Sequence, residues 1–356
     1  MYNNRYCIIM AGGVGSRFWP VSRRNLPKQF LDIMGTGKSF IRHTFERFLP
    51  IIPQENFLVV TNAAYKSLVL EHIPELKPSQ VLCEPVGRNT APCIAYAAYR
   101  LKAVNPQAEV VVAPSDHFIF DEETFRKDIT DCLEFVADKD VLMTIGIKPS
   151  RPDTGYGYIQ AGSTDVIGPV ASFREKPNLE VAISYLASGN YLWNAGIFIW
   201  SNQAILKALN ICVPEISALF NAQQKAFNTP EEDTVIQTIY AGCPSISIDY
   251  GVMEKADNVY VRKCDFGWND VGTWGSLYQL SAKDENANAT QGNVRLYNSS
   301  GCMVKAPAEK MVVIDSLSDY IIADTPDALM ICPMKNEQHI KQVLEDLKTV
   351  EKGKYI

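Results

Sequence analysis

Gly12, Gly13 and Gly15 are followed by Arg17 and Lys28, all within the first 28 residues. Glycines in such a run let backbone N–H groups close on phosphate oxygens, because no Cβ stands in the way. Arg17 and Lys28 bring permanent positive charge to the same loop. A plain turn needs one glycine, whereas this segment has three, followed by Arg17 and Lys28, with Pro20 and Pro27 among them. The chemistry implied is the holding of a polyphosphate. Two common phosphate motifs do not fit. A dinucleotide fingerprint starting at Gly13 needs a small residue where Phe18 stands. Gly37-Lys38-Ser39 resembles the end of a P-loop, but the required earlier glycine is Asp32. That stretch reads as a turn with Ser39 capping the next helix.

Carboxylates come next. Asp116, in Pro114-Ser115-Asp116-His117, follows a very apolar strand and so points to the cleft expected beyond strand ends. Asp270 stands between Gly267 and Gly272 among Phe266, Trp268 and Trp274. Chemistry on a polyphosphate uses hard oxygen ligands for Mg²⁺, often one or two carboxylates, with phosphates completing the shell. Taken alone, an Asp in the place of Asp116 would more often be a cap. Glu84 to Ala91 follows a strand and opens a helix, where Asn89 or Thr90 has the chemistry of a cap. Arg174-Glu175-Lys176, ordinarily a solvated charge run, ends a strand and is stopped by Pro177. His43, His72, His117 and His339 are dispersed and make no zinc set.

Gly12 to Arg23 reads Gly-Gly-Val-Gly-Ser-Arg-Phe-Trp-Pro-Val-Ser-Arg, followed by Pro27-Lys28-Gln29-Phe30. This resembles the signature of sugar-nucleotide pyrophosphorylases, and its Phe-Trp-Pro and Pro-Lys-Gln-Phe variants resemble the mannose-1-phosphate guanylyltransferase branch. Further matches, in family order, are Glu84 to Ala91, Tyr156-Gly157-Tyr158, Phe173 to Pro177, Trp193 to Gly196, Ser247 to Tyr250 and Phe266 to Trp274. Ala195 departs from the family, which has Ser after Trp-Asn. The resemblance implies GTP and mannose 1-phosphate as substrates, Mg²⁺ as cofactor, and GDP-mannose and pyrophosphate as products. It makes Arg17, Lys28 and Lys176 catalytic. It assigns the nucleotide to Gly12, Gly13, Gly15, Glu84, Pro85, Gly87, Asn89 and Thr90. It assigns the sugar phosphate to Gly157, Glu175, Lys176, Asn194 and Asp249, and the metal to Asp116 and Asp270. A pyrophosphorylase for another sugar or base is the nearer alternative. A non-catalytic sugar-nucleotide sensor is the farther one, disfavoured because Arg17, Lys28, Asp116 and Asp270 are all present. The longer bifunctional relatives carry an isomerase domain after this region, so no isomerase activity is expected.

These residues need elements to hold them. Apolar runs at 6–11, 57–61, 81–84, 109–113 and 141–146 read as strands, and 39–49, 64–72, 90–103 and 122–136 as helices. Such alternation argues a parallel, doubly wound α/β sheet covered on both faces. The resemblance implies a Rossmann-like, GT-A-like nucleotidyltransferase with a mixed sheet. The middle of the chain mixes strands at 157–161, 170–174 and 194–200 with helices at 179–187 and 203–209. The polar stretch 286–293 reads as a linker. Short β-like runs at 293–297, 311–314, 320–323 and 329–332 and a helix at 337–350 follow it. The expected organisation is therefore a catalytic domain, 1–284, and a small β-rich domain, 285–356, with an assembly role, partly β-helix-like and not contributing to catalysis. A small β-domain needs a partner surface, so a homodimer is expected.

The composition excludes other classes. The 356-residue chain is 47% hydrophobic with a net charge of −6 and no Lys/Arg block, which argues against nucleic acid as a partner. Nine scattered cysteines without C-x-x-C spacing read as reduced core residues. No apolar run is long enough to span a membrane, and the start does not read as a signal peptide, so a cytoplasmic location is expected.

Overall fold

The structure is a computed structural model that describes residues 4–350 and 354–356. Two compact units make it up, each drawn from separated stretches of chain. The first comprises Met1–Gly12, Thr44–Ser115 and Ile119–Trp268; the second comprises Gly13–His43, Asp116–Phe118 and Asn269–Ile356. The segment 285–356, expected as the small β-rich part, lies in the second unit together with the glycine loop.

The first unit is built on nine strands: β1 (Arg5–Ala11), β2 (Phe57–Asn62), β3 (Val81–Glu84), β4 (Glu109–Pro114), β5 (Leu142–Ile147), β6 (Tyr158–Ala161), β7 (Ile167–Arg174), β8 (Tyr191–Ser201) and β9 (Val259–Cys264). Interleaved helices are α1 (Phe40–Phe48), α2 (Lys66–His72), α3 (Thr90–Val104), α4 (Glu122–Val136), α5 (Leu179–Ser188), α6 (Asn202–Cys212), α7 (Pro214–Ala222) and α8 (Glu232–Gly242). The sheet order is β3-β2-β1-β4-β8-β5-β9-β7-β6. The first four strands are mutually parallel. Strand β8 runs antiparallel to both β4 and β5, and β7 runs antiparallel to β9 and β6, so the sheet is mixed. Strand order reverses between β1 and β4, the place where such sheets bind ligands beyond their carboxyl ends.

Strand residues alternate faces, and both faces are covered. Ile8, Val110, Val112, Phe198 and Trp200 pack with Tyr99 of α3 and Ile205 and Leu209 of α6. On the other face Cys7, Ile9 and Val111 are fully buried. Aromatic pairs also help close that layer: Phe45 lies 4.7 Å from Phe57 and Phe48 lies 5.3 Å from Phe125 between ring centroids. Two-sided burial explains the unbroken apolar run Val110-Val111-Val112, each such side chain contributing about 1.5–3 kcal/mol.

The second unit coils. Its strands are β10 (Ala289–Gln291), β11 (Val294–Tyr297), β12 (Met303–Lys305), β13 (Val312–Asp315), β14 (Tyr320–Asp324) and β15 (Leu329–Pro333), with helices α9 (Trp274–Leu280) and α10 (Ile340–Val350). Ala289, Met303 and Ile321 stack in parallel register on one ladder, and Val294 and Val312 on another. Each pass of the chain thus adds a strand to both ladders until β15 turns back antiparallel. Cys302, Val304, Ile314 and Ile322 fill the coil. Met303, Ile321 and Ala323 face the other way, onto Phe18, Trp19, Trp274, Ile340 and Leu344. The stretch 286–293 is therefore not a free linker. Its Ala289 is 1% exposed and paired with Met303, and polar Thr290 and Gln291 concealed the strand.

Candidate active site

Chain leaving β1 at Ala11 enters the glycine loop. Gly15 sits at φ +70° between that loop and a short turn, Ser16–Phe18; a Cβ there would collide with Lys28 Cβ. The Lys28 backbone N–H donates to Val14 O at 3.1 Å, and Ser22 Oγ donates to the same carbonyl at 2.5 Å. These bonds fold the loop back so that Lys28 turns inward. Its side chain is 3% exposed, so Lys28, although in a loop, is a buried cation and not a surface one. Its ammonium donates to Asp116 O at 3.0 Å and Asp270 O at 2.8 Å, and meets Asp116 Oδ2 at 3.0 Å. Those contacts use its three donors. The Phe40 ring lies 4.9 Å away. A single lysine thus ties together two backbone segments remote in sequence.

Asp116 and Asp270 line one cavity of about 290 Å³ with Gly15, Arg17 and Lys28. Burial works to raise the Asp116 carboxyl pKa, but the charges of Lys28 and His117 outweigh it and hold the group below its usual value. Asp270 accepts the Gly272 N–H at 3.2 Å, and Asn269 accepts the Val271 N–H at 2.7 Å. Val271 adopts φ +45° in this tight turn. Arg17 Nη1 reaches Gly272 O at 3.5 Å, while Phe18 packs 5.2 Å from Trp274. Gly13 is exposed on the same loop.

In the first unit, Glu84 ends β3 and is 5% exposed. Tyr240 OH donates to its Oε1 at 2.9 Å, and Gly12 lies beside it, where a Cβ would make ordinary contact with Oε2 at 3.6 Å. Burial pushes the Glu84 carboxyl up to about 7, with the Tyr240 bond pulling the other way. Pro85, Gly87 and Asn89 follow on exposed chain. Asn89 caps α3, accepting the Thr90 N–H at 2.9 Å, and Thr90 Oγ1 accepts the Ile248 N–H at 2.8 Å. Of the two capping candidates, Asn89 is the cap, whereas Thr90 is the first residue of α3 and binds the remote Ile248 backbone.

A third cluster gathers five expected residues. Asn194, on β8, donates to Asp249 Oδ1 at 2.8 Å while its Oδ1 accepts from Thr144 Oγ1 at 2.9 Å. Its backbone N–H donates to Gly157 O at 2.8 Å. A Cβ on Gly157 would strike Glu175 Oε2 and stand 3.3 Å from Asn194 Cβ. Glu175 pairs with Lys176, and its backbone N–H donates to Glu254 Oε1 at 2.9 Å. Burial, then the neighbouring Glu175 carboxylate, push Asp249 up to about 6, against the pull of Lys176 and Asn194. Burial opposes the charge on Lys176, but Glu175 raises it above its usual value. Tyr156 packs edge-on against Trp193 and Trp268, each 5.1 Å away.

The expected residues thus fall into three groups, one holding Gly15, Arg17, Lys28, Asp116 and Asp270. Sequence reasoning missed Thr144, Tyr240 and Glu254, which orient Asn194, Glu84 and Glu175. It also missed Lys341 of α10, which lines the Asp116–Asp270 cavity. None carries a local motif, so nothing short of the fold brings them to notice.

Residues 6–287 match the nucleotidyl transferase family. Residues 292–347 match the MannoseP isomerase/GMP-like beta-helix domain, whose description agrees with the parallel coil. Mannose-1-phosphate guanylyltransferase of Salmonella montevideo is 38% identical over 359 residues, covering 98% of this chain and 75% of that protein. Among solved structures, mannose-1-phosphate geranyltransferase from Thermus thermophilus superposes with a TM-score of 0.87 at 30% identity, covering 97% of this chain and 99% of that one. Mannose-6-phosphate isomerase from Helicobacter pylori superposes with a TM-score of 0.60 at 26% identity, over 74% of this chain and 99% of that one. With its loop, its carboxylate pair and its coil all accounted for, the chain belongs to the nucleotidyl transferase family, alongside relatives named mannose-1-phosphate guanylyltransferase.

Proposed function

We propose that the protein joins GTP to mannose 1-phosphate, giving GDP-mannose and pyrophosphate. The observation that carries this reading is the convergence of Arg17, Lys28, Asp116 and Asp270 on one cavity of about 290 Å³. Two carboxylates there, one held ionised by Lys28 and His117, are the hard oxygen donors a Mg²⁺ ion takes, with phosphate oxygens completing its shell. Asp116 and Asp270 would hold that ion. When bound it supplies charge neutralisation on the phosphates.

The chain's own groups do the rest. A phosphate oxygen of mannose 1-phosphate bonds to the α-phosphorus of GTP; the bond from that phosphorus to the β-phosphate oxygen breaks, and pyrophosphate leaves with the electron pair. The attacking oxygen is already anionic, so no general base is required. Arg17 offsets charge on the triphosphate. Lys28, its donors engaged, acts through its charge and by fixing the backbones of both aspartates. Glu84 and the following turn receive the base. Asn194, Asp249 and Glu175 offer acceptors and donors to sugar hydroxyls, and Lys176 meets the sugar phosphate.

Tyr297, Val313, Leu329 and Ile331 are exposed apolar side chains on the coil that a homodimer would cover. No disulfide joins the nine cysteines, which supports a reducing, cytoplasmic setting. Among the described residues no single helix is long and apolar enough to cross a membrane. Pyrophosphate release over a panel of nucleoside triphosphates and sugar 1-phosphates tests the reading. Turnover with GTP and a sugar 1-phosphate supports it, and silence throughout would favour a sugar-nucleotide sensor.

A further inference from the structure

Helix α10 lies in the segment expected to serve assembly alone, yet its Lys341 lines the same cavity as Arg17, Lys28, Asp116 and Asp270. The placement follows from packing. Ile340 and Leu344, 2% and 8% exposed, form an i, i+4 apolar stripe, and they share a core with Phe18, Trp19 and Trp274. The stripe seats α10 against the Ser16–Phe18 turn. Trp19 Nε1, donating to Tyr355 O at 2.7 Å, ties the loop to chain beyond the helix. Lys341, next to Ile340, is exposed and makes no ion pair or hydrogen bond to the described residues. Its charge is therefore available to a ligand.

A second cavity of about 460 Å³ continues from the first, sharing Ser16 and Lys341 with it. Arg23, Arg24 and Lys348 also line it. Arg23 is bound to Asp327 and Lys348 to Glu345, whose carboxylate lines this cavity too. Among the described residues, Lys341 and Arg24 make no ion pair. Positive charge thus extends from the aspartate pair outward along one side of the second unit.

We propose that Lys341 binds the β- and γ-phosphates of the nucleotide, and hence the pyrophosphate product, so that the C-terminal helix completes the triphosphate site. The proposal rests on the nucleotidyltransferase reading above and adds a ligand from outside the glycine loop. Calorimetric titration of wild type, Lys341→Ala and Lys341→Arg with inorganic pyrophosphate, GTP and GMP, in Mg²⁺ buffer, tests it. Lys341→Ala should bind pyrophosphate and GTP at least tenfold more weakly, with GMP affinity and melting temperature unchanged. Lys341→Arg should stay within about threefold of wild type. In the reverse reaction the alanine variant should raise KM for pyrophosphate and leave KM for GDP-mannose alone. Pyrophosphate binding by Lys341→Ala within twofold of wild type, no pyrophosphate binding by wild type, or an equal loss of GMP affinity would overturn the proposal. Wild-type silence in the turnover panel would instead defeat the catalytic reading, while the pyrophosphate titration would still judge Lys341.

Discussion

Asp116 and Asp270 stand 154 positions apart in sequence, and Lys28 binds the main-chain carbonyls of both. A role in holding metal makes a definite demand on their charge. Asp116→Asn and Asp270→Asn should each lower turnover by about a hundredfold or more, since a metal clamp contributes several kcal/mol to the barrier. Circular dichroism should show both variants folded; near-wild-type turnover in either at low Mg²⁺ would remove that residue from the metal site. Asp249 makes a different demand. Its carboxyl titrates near 6, so the folded protein takes up a proton there as pH falls from 7 to 5. The ionised form accepts from Asn194, and protonation replaces an acceptor with a donor. KM for mannose 1-phosphate should therefore rise across that interval. Part of the rise comes from the substrate, whose second phosphate ionisation lies in the same range. The protein's share is the part that disappears in Asp249→Asn, and identical profiles for the two proteins would dismiss Asp249 as the titrating group.

At the scale of elements, Gly157 stands immediately before β6, and a methyl group there has no room beside Glu175 and Asn194. Gly157→Ala should raise KM for mannose 1-phosphate at least tenfold while KM for GTP stays within about twofold; equal effects on both substrates would point to general misfolding. Strands of this unit were legible because burial on both faces leaves runs such as Val110-Val111-Val112, a pattern that survives in one sequence. Strand direction was not. Alternating strands and helices suggested a parallel sheet, whereas β8 enters antiparallel between β4 and β5, and nothing in its Trp193-to-Trp200 run encodes direction. In the coil, β11, β13, β14 and β15 were visible as short apolar runs. Three-residue β10 and β12 were not, because each carries too few buried side chains to set a period. The same logic holds for the site. Arg17, Lys28, Asp116 and Asp270 sit in dense local motifs, whereas Thr144, Glu254 and Lys341 act through contacts that only folding creates.

On the scale of the whole molecule, the glycine loop and the C-terminal coil share a core. Phe18, Trp19 and Trp274 pack with Met303, Ile321, Ile340 and Leu344, so the coil supports the loop that carries Arg17 and Lys28. Deleting 285–356 would strip that support and expose several large apolar side chains, each worth about 1.5–3 kcal/mol of burial. The truncated protein should lose solubility, or at least a hundredfold in turnover; a soluble fragment with full turnover would reduce the coil to an appendage. Mannose and glucose 1-phosphates differ at one hydroxyl, and a site that hydrogen-bonds a hydroxyl rejects the wrong epimer at about 1–3 kcal/mol, through an unpaired buried group. The most direct measurement is kcat/KM for pyrophosphate release with GTP, compared between mannose 1-phosphate and glucose 1-phosphate. The predicted result is at least a tenfold preference for mannose 1-phosphate, about 1.4 kcal/mol; equal values, or a preference for glucose 1-phosphate, would contradict it.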